Sequence, residues 1–342
     1  MKPPTPAPQS ISNAQMLLDL YESGVTNFHA LSLRNFDLSG ADLIGADFSH
    51  ANLSGTNFSF AYLNRANFRS CNLTFAQFNG ATLNQANLSQ ANLRDASLHG
   101  ASLQGAVLFG ADLGLADLSD ANLIDGDLRA VNLCNANLTG ACMRGANLRE
   151  ETLADSAMLQ GATLDDVDLK GANLKGANLD RVSLKRANLA HANLRGASLR
   201  GANLANANLQ NAVLSDVDAS GINFAQANLR NAKLERATLN KANCDKANLS
   251  AAVMTEAVLK SASFREADLS AANLNRADLS RTCFQSAVLA DCLLIKAYLA
   301  RANLSYANLS HANLLGSELS GAVMVKVIFS ETILADGRIS AF

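Results

Sequence analysis

Eleven side chains of this 342-residue chain belong to types that ligate metals or attack substrates: six cysteines and five histidines. Paired thiolates at CxxC spacing would hold zinc, and a histidine beside a cysteine or serine would serve as general base. The spacing supports neither. Cys71, Cys134, Cys142, Cys244, Cys283 and Cys292 contain no CxxC pair, and His29, His50, His99, His191 and His311 are dispersed along the chain. Without a nucleophile, a base and an orienting group in reach of one another, no catalytic constellation is legible. The expectation is a non-enzymatic protein with no catalytic, cofactor-binding or metal-ligating residues, carrying reduced thiols in a cytoplasmic setting. Charge excludes further classes. With 28 basic and 30 acidic residues the formal net charge is −2, which does not suit a strongly basic nucleic-acid binder. No apolar stretch approaches the roughly 18 to 20 residues of a membrane span, and the start MKPPTPAPQS lacks the apolar core of a secretory signal.

What must position any functional group is a repeat. Phe28, Leu33, Leu38, Leu43, Phe48, Leu53, Phe58, Leu63 and Phe68 recur every five residues, and the spacing continues to Met158. One extra residue follows, and the same spacing resumes at Leu164 and runs to Leu334, 62 units in all. Two residues before each large apolar centre stands a small residue, usually Ala as in Ala41, Ala46 and Ala51, and between them Asn or Asp. The unit reads A-(N/D)-L-x-x. A period of five fits neither a 3.6-residue helix nor an alternating strand. Along one α-helix the centres would drift around every face, so the chain must coil back on itself. Phe28, Phe48 and Phe68 lie 20 apart, as do Phe58 and Phe78, and Phe264 and Phe284. Rings stacked above one another set a coil of 20 residues, four units long.

These A-(N/D)-L-x-x units, covering residues 26 to 335, resemble the pentapeptide-repeat proteins. The resemblance implies an all-β fold, a right-handed quadrilateral parallel β-helix, with the centre and the Ala two before it inward and the other three residues outward. A solenoid needs caps at its ends. The expected order is a disordered Pro-rich leader over 1–11, an N-terminal capping helix over 12–24, the β-helix over 25–335 with a one-residue register shift near 159–161, and a tail over 336–342. Ser12 or Asn13 can cap a helix Ala14 to Glu22, with Met16, Leu17, Leu20 and Tyr21 on one face and Gly24 closing its end. At the other end Val325 and Val327 read as outward and apolar, to be covered by the tail Ile339 to Phe342 or, as in some relatives, by a homodimer contact through the C-terminal coil.

Function is sought in departures from the repeat. Residues 1 to 160 hold 8 basic and 14 acidic residues, and 161 to 342 hold 20 and 16, so the halves carry −6 and +4. In the acidic half Asp112, Asp117, Asp120, Asp125 and Asp127 accompany outward Phe109, Leu115 and Ile124, the composition of a protein-binding patch. In the basic half Arg181, Lys241, Arg281 and Arg301 fall in one period-20 column, a candidate basic edge for an acidic partner. Asp216, Arg236, Glu256, Arg276 and Lys296 form a nearly alternating charge ladder that supports register rather than chemistry. Ala219 and Cys244 replace large centres, and Ala219 leaves either a void or room for a bulkier neighbour. The Asn and Asp before each centre read as turn-satisfying groups. The preferred function is a protein–protein interaction scaffold or regulator with unnamed protein partners, no membrane role and little case for direct nucleic-acid binding. The resemblance implies one alternative: a DNA mimic that binds DNA gyrase or topoisomerase, here through the acidic N-terminal half.

Overall fold

In the computed structural model of the protein, residues 10–149 and 157–340 are described; most of the Pro-rich leader, residues 150–156 and the last two tail residues lie outside them. The chain divides into two compact units, Met1–Asn173 and Leu174–Phe342.

One pentapeptide shows why the chain coils. In Asp47–Ala51 every backbone N–H is used. Asp47 N donates back to Thr26 O (2.8 Å), and Phe48 N and His50 N donate forward to Asn67 O and Arg69 O (both 2.8 Å). Ala51 N closes a turn on Phe48 O at 2.9 Å, and Ser49 N is taken by Asp47 Oδ1 at 3.0 Å. Proline has no place in such a unit, which accounts for its absence after Pro8. The turn puts His50 at φ +60, the left-handed region that the third residue of a type II turn occupies, and this residue of almost every unit repeats it. The Asx side chain three residues before this corner holds the loop, accepting the N–H two residues on, as Asp37 does for Ser39 N (3.2 Å) and Asn57 for Ser59 N (3.0 Å). This is the turn role assigned to these residues above.

The residue before each centre pairs in parallel with its counterpart 20 residues on: Asn27 with Asp47, Ser32 with Asn52, Asp37 with Asn57, Asp42 with Tyr62. Four such bridges per circuit make each coil four-sided. Pairing is confined to single residues on each face, so the coils are tied by isolated bridges rather than extended strands. Centres and small residues are buried in both units except at the terminal coils. In the first unit Phe28, Phe48 and Phe68 stack at 5.4 and 5.3 Å, Phe58 and Phe78 at 5.1 Å, and the two columns meet edge to face at 5.7–6.1 Å. In the second, Phe264 and Phe284 stack at 5.3 Å. Ala219 is compensated: Ile222, at the next small position, is fully buried beside it.

The register requires a correction. Asn132 pairs with Met158, Asn137 with Thr163, Cys142 with Asp168 and Asn147 with Asn173, an interval of 26 residues where coils elsewhere use 20. Met158 therefore occupies the position before a centre, 41% exposed, and Leu159 is the fully buried centre. Six residues, not one, are added between Leu148 and Leu159, ahead of 159–161. Ala157-Met158-Leu159-Gln160-Gly161 carries the unit's own signature, a small residue two before the centre and a corner glycine two after. The five-residue count that reached Met158 through Leu153 is coincidental; Leu153 lies outside the described residues.

Helix α1 (Ala14–Glu22) precedes the first coil, and of the two candidate caps Asn13 serves: its side chain accepts Met16 N at 2.9 Å. Gly24 at φ +94 ends it, with Gly24 N bonded to Tyr21 O and Val25 N to Leu20 O, a Schellman closure. Leu17 is completely buried, and Tyr21 Oη donates to Ile44 O at 2.7 Å.

Candidate functional site

Among the described residues no group of three or more His, Cys, Asp and Glu could hold a metal ion. All six cysteines are free. Burial pushes the thiols of Cys71 and Cys292 up to about 12 and raises that of Cys244 as well, so these three are unreactive near neutral pH. Cys71 and Cys292 occupy small inward positions and donate to Phe48 O and Leu269 O, each at 2.8 Å. Thr56 and Thr332 use the same site in the same way. His29 and His50 meet edge to face at 5.3 Å, with Ser49 Oγ 2.9 Å from His29 Nδ1.

The acidic–apolar patch does not assemble on one surface. Successive pentapeptides occupy successive faces, so a sequence run of one coil goes round the molecule. Phe109 and Asp127 fall on one face, Asp112 and Leu115 on the next, Asp117 and Asp120 on a third, Ile124 and Asp125 on the fourth. Phe109 and Ile124 are half-buried, and of the three apolar members only Leu115 is exposed, at 51%. The Arg129 guanidinium lies 5.5 Å from the Phe109 ring centroid and binds Asp127 through Nε (2.7 Å) and Nη2 (2.6 Å). That hydrogen bonding holds the Asp127 carboxyl below its usual range. Asp112 accepts from Asn132 at 2.8 Å and lies 3.8 Å from Arg94. His99 is 3.9 Å from Asp120.

The four basic residues share one corner position of the coil. Arg181, Lys241, Arg281 and Arg301 occupy the same exposed corner of successive coils in the second unit, with Gly201, Gly221 and Ser261 between them. Among the described residues none of the four forms an ion pair, because the acids of the adjoining face are taken: Asp218 by Arg200 (2.6 Å) and Asp278 by Lys260 (3.1 Å). In the neighbouring ladder Arg236 grips Asp216 at 2.7 and 3.0 Å and Arg276 reaches Glu256 at 3.5 Å.

Two further features stand out from the rest of the surface. The first is the C-terminal end. The inward residues of the last coil, Leu319, Met324, Phe329 and Leu334, line an open apolar cavity of about 380 Å3. Val323, Val325 and Ile328 are exposed beside it, while Val327 takes a half-buried small position rather than an outward one. The described part of the tail lies on one side: Ile339 pairs antiparallel with Ile333, and Ser340 N donates to Thr332 O at 2.8 Å. On the other sides Leu319 N, Met324 N and Phe329 N donate to no backbone carbonyl among the described residues. The second is a set of exposed aromatics on the first unit, Phe60, Tyr62 and Phe75. Phe60 and Phe75 sit at left-handed corners (φ +61 and +59). Their signal was available, since a ring at the corner position replaces the usual Gly, Asn or charged residue.

Both units are parallel β-solenoids built from five-residue turns, whose variable side chains are displayed outward. The family model of pentapeptide repeats matches overlapping segments from residue 26 to 336, with breaks at 151–154 and at 219, and the chain belongs to the pentapeptide-repeat family. Among solved structures it is similar to HetL, a pentapeptide repeat protein involved in heterocyst differentiation regulation from the cyanobacterium Nostoc: 25% identity over 96% of this chain and 100% of that one, TM-score 0.28. A second is QnrB1, a plasmid-mediated fluoroquinolone resistance protein, at 26% identity over 53% of this chain and 83% of that one, TM-score 0.34. A third, from the Arabidopsis thaliana thylakoid lumen, is 32% identical over 34% and 70% of the two chains, TM-score 0.25. No curated protein matches the sequence. Among the described residues no helix is long and apolar enough to cross a membrane.

Proposed function

We propose that the protein is a non-enzymatic interaction scaffold, wound in the right-handed sense its family implies, that acts by holding protein partners at the open C-terminal coil. One observation carries this reading: the large centres of that coil are half-covered to exposed, where the centres of the other coils are buried, and they stand beside backbone donors that meet no backbone carbonyl among the described residues. Apolar surface and a free strand edge together favour a protein partner that adds both side chains and backbone hydrogen bonds. A second copy of the chain meets this requirement, because Lys326, Glu331, Asp336 and Arg338 around the end carry both signs, as a self-complementary contact needs. The basic column of the second unit, with no ion pair of its own, offers a further surface to an acidic partner. The gyrase-mimic alternative draws less support, since Asp112 and Asp127 are already engaged by Arg94 and Arg129. The test is molar mass by light scattering across a concentration series, with a Val325→Glu/Ile328→Lys variant alongside and capture of binding proteins from lysate. The scaffold reading expects the variant to keep its fold and lose either dimerisation or a captured partner. Equal mass and equal capture for both proteins would overturn it.

A further inference from the structure

On the second face of the first unit's early coils, Gly55 opens a depression of about 390 Å3. Its floor is made by Asn52, Ser54, Asn72 and Thr74, and its wall by the Phe75 ring, 64% exposed. The Asn35 amide crosses the place where a Gly55 side chain would stand, for a Cβ there would meet Asn35 Oδ1. Arg34 borders the opposite side, its Nε fixed on Ser54 Oγ at 3.0 Å and its terminal nitrogens without a partner among the described residues. The floor amides point the same way. On some coils the amide before a centre donates to its counterpart one coil back, as Asn57 does to Asp37 (3.0 Å) and Asn67 to Asp47 (2.9 Å). Asn52 and Asn72 use their oxygens for the turn N–H groups of Ser54 and Thr74, and their Nδ2 groups donate to nothing among the described residues. No carboxylate lines the depression; Asp95 lies one coil beyond Phe75.

We propose that this depression binds an acidic oligosaccharide, with one pyranose face on the Phe75 ring, ring hydroxyls on the amides and hydroxyls of the floor, and a carboxylate or sulfate on the Arg34 fork. The chemistry fits on each count. An exposed ring offers the apolar platform that the C–H face of a sugar covers. The Asn52 and Asn72 Nδ2 groups can donate to ring hydroxyls, and the Ser54 hydroxyl, which accepts from Arg34, keeps its own proton to donate; Thr74 Oγ1 already donates to Asn72 Oδ1 (3.0 Å) and can still accept. A guanidinium anchored at Nε keeps two parallel N–H groups for a planar anion. Arg34 and Phe75 stand two coils apart, roughly 9.6 Å at strand spacing, which suits a disaccharide unit better than a single ring. Phe75 also holds a left-handed φ in which an exposed aromatic gains nothing from the fold.

The experiment is calorimetric titration of the full chain with trigalacturonate, a chondroitin sulfate tetrasaccharide, maltotriose and adenosine monophosphate, at two salt concentrations. At least one acidic oligosaccharide binds, about tenfold tighter than maltotriose and more weakly as salt rises; tighter binding of trigalacturonate shows that carboxylate alone suffices. Phe75→Asn suits the left-handed corner and keeps the fold, so its loss of binding reports the ring. Arg34→Gln lowers affinity for the acidic sugars about tenfold and leaves maltotriose unchanged. Phe60→Asn, at an exposed aromatic outside the depression, changes nothing. No binding of either acidic sugar, binding of the nucleotide alone, or acidic-sugar affinity indifferent to Phe75→Asn and Arg34→Gln would overturn the proposal.

Discussion

The first coil buries Phe28, Leu33, Leu38 and Leu43 almost completely, whereas the last leaves Met324 40% exposed and Leu319, Phe329 and Leu334 half-covered. The same inward pattern thus meets two different endings. At the first coil α1 contributes the fully buried Leu17, and Ile11 and Val25 are buried beside it. Leu31 and Phe36 stand there at positions that later coils give to small residues, because no earlier coil lies beneath them. At the last coil the described tail pairs with one face, through Ile339 and Ile333. Stacking supplies each coil with a neighbour, so burial of a terminal coil depends on something that is not a coil. Among the described residues the first coil has such an element on its inward side chains and the last coil has one along a single face.

This contrast is broken or sharpened most strongly by truncating inward residues at both ends. Phe48→Ala removes a ring stacked on both Phe28 and Phe68 and is expected to destabilise the first unit by about 3–5 kcal/mol. Met324→Ala should cost less than about 1 kcal/mol, since its side chain is already partly in water. Urea denaturation followed by amide exchange in each unit checks the pair, and equal losses would remove the distinction between sealed and open ends. Leu17→Ala follows, at about 2–4 kcal/mol, with faster exchange expected at Phe28, Leu33 and Leu38. If exchange there is unchanged, α1 does not seal the first coil.

How far these differences can be read from sequence depends on whether they lie in the repeat or across it. The 20-residue coil was legible in the spacing of Phe28, Phe48 and Phe68 because a ring column must be in register to pack. The inserted segment was misplaced because the count followed large residues and ignored Ala157 and Gly161, whose small size is the stricter requirement of the interior and the corner. The patch around Phe109 failed for a geometric reason: residues close in sequence occupy different faces, and neighbours on one face are 20 apart. The Arg34–Phe75 depression needs three coils at once and depends on a missing side chain at Gly55, which no single unit reveals. The open C-terminal end was half-legible, since Val325 was marked as outward while the reach of the tail depends on its pairing at Ile333.

Smaller effects concern polar groups inside the coils. Ser317 Oγ is buried near the open end with no hydrogen-bond partner among the described residues, while Thr56 and Thr332, at equivalent positions, donate to Leu33 O and Leu309 O. Ser317→Ala is expected to be stabilising by roughly 1 kcal/mol, and Thr56→Ala destabilising by about as much; equal signs in thermal unfolding would contradict the assignment. A thiol reagent near neutral pH should label Cys134, Cys142 and Cys283 in the native protein and reach Cys71, Cys244 and Cys292 only after unfolding. Rapid labelling of all six would mean that the coils open far more readily than their packing implies.

The weakest expected effect separates the charge pairs of the two units. Arg129 and Asp127 are 27% and 24% exposed, and Arg236 and Asp216 are 52% and 33% exposed. In the first pair Arg129 also covers the Phe109 ring, so Arg129→Gln removes a guanidinium contact and an ion pair together, about 1 kcal/mol in all. The hydrogen bond from Arg129 holds the folded-state pKa of Asp127 below its unfolded value near 3.9. A lowered carboxyl pKa contributes stability that is whole above about pH 5 and is lost as pH falls through the folded-state value. The difference between wild type and Arg129→Gln should therefore be largest at neutral pH and shrink on acidification toward pH 3, leaving mainly the ring contact. Arg236→Gln should show the same sign and a smaller amplitude, because water screens that pair more fully and salt reduces it further. Unfolding midpoints of the three proteins at several pH values, in low and high salt, decide the matter. A larger effect at Arg236 than at Arg129 would mean that the ladder of the second unit, not the covered ring of the first, is where charge supports the coil.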